Sequence, residues 1–362
     1  MKGLKIFRNS RVIITGHTGF KGSWLTAWLK QLGAKVMGIS LDPPTYPSHF
    51  GASKINLGIK DVRLDIRDKV KLEQKITAFK PNFVFHLAAQ SLVGLSYKNP
   101  TITWQTNVLG TLNVLESLRK LKNVCNVVII TSDKCYFNKE IHYGYKETDI
   151  LGGKDPYSGS KASAELLVKS YISSFFLSNK TKIRIATARA GNVIGGGDWA
   201  NNRIIPDCIR FWSKNKKAEL RNPNATRPWQ HVLESVGGYL CLAINLSFNK
   251  HLHGEAFNFG PNLSREYSVL ELVKTMGVYW KNISWKVMPK SRKKFYESEL
   301  LRLNCNKAKK ILKWKNILKF SETVEMVASW YRSYYEHPKN IDKITRKQIR
   351  EYEKLLKKRL IK

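Results

Sequence analysis

Two short strings in this 362-residue chain combine residue types that can do redox and proton chemistry. The first is Thr15-Gly16-His17-Thr18-Gly19-Phe20-Lys21-Gly22, with glycines three residues apart. Between a strand and a helix, such glycines permit a tight turn and let backbone amides approach a pyrophosphate, which the positive end of the helix favours. Taken alone, the string reads either as a dinucleotide cradle or as a structural turn. The second string is Tyr157-Ser158-Gly159-Ser160-Lys161. Residues four apart share a helix face, so the Lys161 ammonium can lie near the Tyr157 phenol and stabilise its phenolate. A phenolate so held can take the proton of a hydroxyl whose carbon gives up hydride. That spacing also occurs on ordinary helices, so its position has to decide. Thr131-Ser132-Asp133-Lys134, at the end of an apolar run, adds a hydroxyl, an acid and an amine.

Those groups need a scaffold that brings them together. Residues 11–15 are a run β-branched from Val12 on that leads into the glycines; Trp24, Leu25, Trp28 and Leu29 follow at helical spacing. Strand, turn and helix are the natural reading. Residues 35–40 supply a second strand, and Asp42, Pro43, Pro44 and Pro47 mark the loop after it. Further strands fit 62–64, 83–87, 127–131 and 183–188, alternating with helices at 69–79, 104–119 and 157–176. This alternation predicts an α/β fold, a Rossmann-like doubly wound parallel sheet, with ligands at the carboxyl ends of the strands. Ser132 then ends a strand and Tyr157 opens a helix, where the chemistry requires them. Asp42, past the second strand, can bind ribose hydroxyls, and no arginine stands beside it in sequence to take a 2′-phosphate, which favours NAD over NADP.

Past Gly191 the texture turns to glycines, prolines and aromatics. The organisation expected is an NAD-binding domain over 1–190 and a smaller C-terminal substrate-binding lobe over 191–336, with one segment returning to the main sheet. A basic C-terminal helix over 337–362 carries Ile341, Ile344, Tyr352, Leu355 and Leu356 as an apolar stripe, which suits packing on the body or on a second subunit better than on a membrane surface. Hydrophobic residues at 43% and aromatics at 11% exclude a disordered polymer. The formal charge of +36 is dispersed, with clusters at 290–294 and after 339, and suits a solvated surface that attracts an anionic ligand; nucleic acid is the lesser alternative. Five dispersed cysteines show no metal spacing, so no metal is expected. Without a signal-peptide pattern or an apolar run of roughly 20 residues, the cytoplasm is the expected location.

Longer strings support a resemblance. They are residues 16–24, with the glycine turn; Leu41-Asp42-Pro43-Pro44-Thr45; His86-Leu87-Ala88-Ala89-Gln90; Asp133-Lys134-Cys135-Tyr136; residues 151–157; residues 190–199, from Ala190-Gly191-Asn192 to Asp198-Trp199; and Thr226-Arg227-Pro228-Trp229-Gln230-His231-Val232. Over residues 9–335 the sequence resembles the extended short-chain dehydrogenase/reductase family of NAD-dependent epimerases and dehydratases, and within it the branch that acts on CDP-glucose.

The resemblance implies a hydro-lyase that dehydrates a nucleotide-sugar across C5 and C6, CDP-glucose first, for surface polysaccharide such as O-antigen. It further implies a tightly held NAD that borrows hydride from C4 and returns it at C6. The implied catalytic residues are Ser132, Asp133, Lys134, Tyr157 and Lys161: Tyr157 the base at the 4-hydroxyl, Asp133 the acid at C6, Lys134 the base at C5. NAD would be met by Gly16, Thr18, Gly19, Phe20, Lys21, Gly22, Asp42, Asp65, Ile66, Leu87, Ala88, Ala89, Gln90, Asn107 and Thr131, besides Tyr157 and Lys161. Ser132, Asn192, Arg203, Arg227 and His231 would bind substrate, although Asn107, Arg203 and His231 suit structural roles equally. Ser132 stands where a Thr is more usual and Gly94 where an Arg is, and Tyr296 and Asn304 also depart from the common pattern. A 4-epimerase, or a dehydratase of another nucleotide-sugar, is the alternative, and a noncatalytic NAD- or nucleic-acid-binding protein a further one. The family implies a homodimer or homotetramer.

Overall fold

A computed structural model of the chain describes residues 3–141, 143–177, 181–261, 265–288 and 300–360. The basic cluster at 290–294 and Tyr296 lie outside them.

β1 (Arg11–Thr15), β2 (Lys35–Ser40), β3 (Lys60–Arg63), β4 (Phe83–His86), β5 (Cys125–Ile130) and β6 (Ile183–Ala190) form a parallel sheet in the order β3-β2-β1-β4-β5-β6. The chain leaves it for β7 (Ala218–Leu220) and β8 (Thr226–Arg227), then returns as β9 (Ala256–Phe259), which pairs parallel with β6. Every residue of β4 and β5 is buried, as strands covered on both faces require. Side chains alternate between faces, so Val12 and Ile14 of β1 join one hydrophobic core while Ile13 joins the other.

Helices α1 (Phe20–Gln31), α2 (His49–Ala52), α3 (Lys69–Phe79), α4 (Val93–Lys98), α5 (Pro100–Trp104), α6 (Gly110–Arg119) and α7 (Pro156–Tyr171) connect the strands. The helix expected over 104–119 is interrupted by a π turn at Gln105–Leu109, and another π turn, Ile172–Phe176, ends α7. Wide turns of this kind frequently re-aim side chains near functional sites. Here the turn carries buried Asn107.

The rest of the chain builds α8 (Ile204–Trp212), α9 (Val232–Phe248), β10 (Tyr267–Ser268), α10 (Val269–Tyr279), β11 (Trp285–Val287), α11 (Asn306–Ile311), α12 (Phe320–Glu336) and α13 (Ile341–Leu360). Two small sheets, β8 with β10 and β7 with β11, stand apart from the main one. The basic helix α13 lies on the body of its own chain. Trp28 of α1 donates to Glu353 at 2.7 Å, Trp330 of α12 to Thr345 at 2.9 Å, and Tyr352 to Glu234 of α9 at 2.9 Å. No described helix is long and apolar enough to cross a membrane.

Candidate active site at the carboxyl ends of the central strands

The glycine turn joins β1 to α1. Gly16 has φ +77°, and a Cβ on it would stand 2.7 Å from the Ala88 amide; a Cβ on Gly22 would stand 2.0 Å from the Gly16 carbonyl oxygen. Both positions therefore require glycine for close backbone approach. Gly19 caps α1 without any side-chain cap bond, and the first turn holds no acidic residue. Its amides and the helix dipole are thus presented to a ligand rather than to a side chain, and an anionic pyrophosphate fits there. The Thr15 hydroxyl lies 2.7 Å from His86 Nδ1 and accepts from the Ala88 amide at 3.2 Å, tying the turn to the 87–90 segment that would line the dinucleotide.

The other expected cofactor positions divide. Asn107 accepts from the Gln90 amide at 2.8 Å and donates to the Gln90 carbonyl at 3.0 Å and to Ser160 at 2.8 Å. It is a clamp between the loop after β4 and α7. Thr18 is engaged by Ser40 and the Leu41 carbonyl, and Thr131 donates to Glu165. Ile66 is a core residue of the α3 and α6 face, and Asp65 is clasped by Arg67 at 2.6 Å, which holds its carboxyl below the usual range. Asp42 is exposed on the rim, and the expectation that no arginine stands beside it fails in space. Pairing of β2 with β3 brings Arg63 to 3.6 Å from it. That guanidinium is already engaged with Asp61 at 2.9 Å and the Leu41 carbonyl at 3.0 Å.

The catalytic candidates converge beyond β5. Ser132 caps a short 3-10 turn, Asp133–Cys135; its hydroxyl donates to Asp133 at 2.9 Å and accepts from the Lys134 amide at 3.2 Å. Opposite it, Asp155 caps α7 by accepting from the Ser158 amide at 3.0 Å, and Pro156 takes the first helical position. That start sets Tyr157 in the first turn, buried and hydrogen-bonded to Ser132. Burial pushes its phenol up to about 12; the Ser132 bond and Arg203 oppose this, while Asp133 and Asp155 add to it. Arg203 thus acts on the phenol as a cation. Lys161, one turn further on, is pushed down to about 8 by burial against the pull of Cys135 and Glu165, and its charge is felt by His86 and Lys21, on the dinucleotide side. Burial raises the Asp133 carboxyl, against the pull of Lys134, Ser132 and Lys21. Half-buried Lys134 lines a recess with Asp155, Ser158 and Leu301.

Of the expected substrate residues, Arg203 enters the site but shares its guanidinium with Asp198 at 2.7 Å, and Asn192 is exposed just beyond β6. Arg227 lies on the outlying β8, donating to the Thr226 carbonyl at 2.9 Å. His231 is fully buried; it caps α9 by accepting from the Leu233 amide at 3.2 Å, and burial holds its ring neutral with a pKa down to about 3. It is part of the frame, and its Nε2 has no hydrogen-bond partner among the described residues. Sequence reasoning missed Glu165 and Arg189, a buried pair at 2.9 Å that joins α7 to β6 and, through Thr131 and Tyr136, to both ends of the catalytic turn. Glu165 follows Lys161 by four residues on one helix face, and that spacing was the available signal.

The model of the GDP-mannose 4,6 dehydratase family matches residues 13–327. The chain belongs to that family. It is 43% identical, over 91% of its length and 92% of the relative's, to a CDP-glucose 4,6-dehydratase of Salmonella typhimurium. In fold it is similar to an epimerase from Methanothermobacter thermautotrophicus, with a TM-score of 0.79 and 24% identity over 94% of this chain and 97% of that one. It is also similar to a UDP-glucuronic acid 4-epimerase from Bacillus cereus solved with UDP-glucuronic acid and NAD, with a TM-score of 0.74 and 21% identity over 90% of this chain and 100% of that one.

Proposed function

We propose that the chain is an NAD-dependent hydro-lyase that converts CDP-glucose to CDP-4-keto-6-deoxyglucose. The observation that carries this reading is Asp133, a buried carboxyl biased toward its protonated form within the same cluster as Ser132 and Tyr157. An acid whose proton is held more tightly by burial, beside the C4 machinery, suits loss of a hydroxyl, and a 4-epimerase has no use for it. The similarity to the Salmonella enzyme supports the CDP-sugar.

NAD, when bound at the glycine turn, supplies the acceptor and donor of hydride. Residues 1–190 would hold it and residues 191–336 the nucleotide-sugar. Tyr157 takes the proton of the 4-hydroxyl, and Ser132 turns its hydroxyl from Asp133 to that oxygen. Arg203 offsets the phenolate charge, and Lys161 faces the dinucleotide side. The 4-ketone makes the C5 proton acidic. Asp133 then protonates the C6 hydroxyl as its C–O bond breaks and water leaves, while the electrons of the C5–H bond form the C5–C6 double bond. Lys134 accepts the C5 proton and later returns one.

The test is a panel of nucleoside-diphosphate hexoses, read by the alkali-induced absorbance of a 4-keto-6-deoxy product. CDP-glucose should be turned over; turnover of a non-CDP donor alone would overturn the substrate assignment. Lys134→Ala should keep the cofactor but stop solvent deuterium entering C5, and wild-type exchange would remove Lys134 as the base.

A further inference from the structure

We propose that Lys21 is the positioning cation of Asp133, carried into the site from the glycine turn to hold the carboxylate that forms when the acid gives up its proton. Lys21 is the second residue of α1, yet its side chain does not stay at the mouth of the helix. Lys21 Nζ donates to the Gly191 carbonyl at 3.0 Å, at the end of β6. Gly191 in turn lies against Asp133, so closely that a Cβ on it would stand 2.9 Å from Asp133 Oδ2. Ammonium and carboxylate thus flank one glycine, brought there from three elements.

The surroundings make this pair matter. Asp133 is faced by Ser132, Lys134 and Cys135 of its own turn, by Tyr157 of α7, by Tyr239 of α9 and by Lys21 of α1. Lys21 is faced by Asp133, Arg203 and Lys161. Lys134, the proposed C5 base, faces the recess it shares with Asp155 and Ser158, whereas Lys21 approaches from the start of α1 and takes no part in proton transfer. Asp133 opposes the burial that pushes Lys21 down to about 8, so the amine is charged at neutral pH. When the Asp133 proton passes to the C6 oxygen and water departs, a buried carboxylate remains, and an unpaired buried charge is costly. Lys21 neutralises it in place and exchanges no atom. Its part in turnover rests on the dehydration reading; the pairing itself does not.

The experiment compares wild type with Lys21→Met, Lys21→Arg and Asp133→Asn. Infrared titration follows the carboxylic-acid band that Asp133→Asn removes. Loss of a neighbouring cation raises an acid, so the midpoint should rise by about one pH unit or more in Lys21→Met and stay in place in Lys21→Arg. An unmoved midpoint in Lys21→Met would overturn the pairing. Should Lys21→Met fail to fold, Asp133→Asn asks the reciprocal question: the Lys21 amine, followed by side-chain NMR, should titrate lower than in wild type, and an unchanged titration overturns the pairing equally. In turnover, the alkaline limb of the pH–rate profile should move up in Lys21→Met and not in Lys21→Arg; a slower rate with an unmoved limb would mean a structural role only. If wild type turns over no nucleotide-sugar, the dehydration reading fails while the two titrations still decide the pair.

Discussion

The first proton transfer proposed for Tyr157 starts from a position that opposes it. Burial and Asp133 both favour the neutral phenol, and the Ser132 hydrogen bond and Arg203 counter them. Removing the hydroxyl leaves the fold little changed, because the ring stays buried, but removes the base. Tyr157→Phe should therefore lower turnover by about 10²–10⁴-fold with the cofactor still bound, as steady-state kinetics and the nucleotide content of the purified protein would show. Gly191 offers a sharper test. The Cβ of Gly191→Ala meets Asp133 at 2.9 Å and must move that carboxylate. A displacement of about 1 Å would cost about 10²-fold and this shift is smaller, so kcat should fall by less than that while KM changes little.

At the scale of elements, α7 is fixed by groups that do no chemistry themselves. Glu165 accepts from Thr131 and Thr187 and pairs with Arg189 through two bonds, at 3.0 and 2.9 Å; Arg189 also donates to Tyr136 at 2.9 Å. This network locks α7 to β5 and β6 on either side of the catalytic turn. Breaking a buried pair leaves a charge uncompensated, so Glu165→Ala should destabilise the fold by about 3–5 kcal/mol in denaturant unfolding. The helix Lys69–Phe79 and the strand Lys35–Ser40 were legible to the residue, because each is bounded by strong signals and follows a single period. The interruption at 105–109 was not. Its cause is a tertiary one, the clamp from Asn107 to Gln90 and Ser160, and it leaves the apolar spacing of a continuous helix almost unchanged.

Across the whole molecule, α13 acts as a strap from α1 to α9 and α12. Arg359 forks onto Glu322 of α12 at 2.8 and 2.6 Å, and at the centre Glu234 accepts from the amides of Ile317 and Leu318, at 2.7 and 2.6 Å, and from Tyr352. Burial raises the Glu234 carboxyl from 4.5 to about 7. A raised acid binds its proton more tightly in the folded state, so its stabilisation is complete below pH about 4.5 and lost as pH climbs to about 7. The difference amounts to roughly 3 kcal/mol for that shift. Glu234→Gln cannot titrate, so its Tm should fall less than that of wild type between pH about 5 and about 7, read by calorimetry.

The local order along the chain determined the sheet, the glycine turn and the two catalytic strings, because period, turn chemistry and i,i+4 spacing are properties of neighbouring residues. What those strings face was decided only in three dimensions. Parallel pairing of β3 with β2 put Arg63 beside Asp42, burial made His231 and Asn107 parts of the frame, and the ends of β1, β5 and β6 brought Lys21, Asp133 and Gly191 together. These are contacts between residues from about 20 to 170 positions apart, set by strand order and packing, which no local pattern encodes.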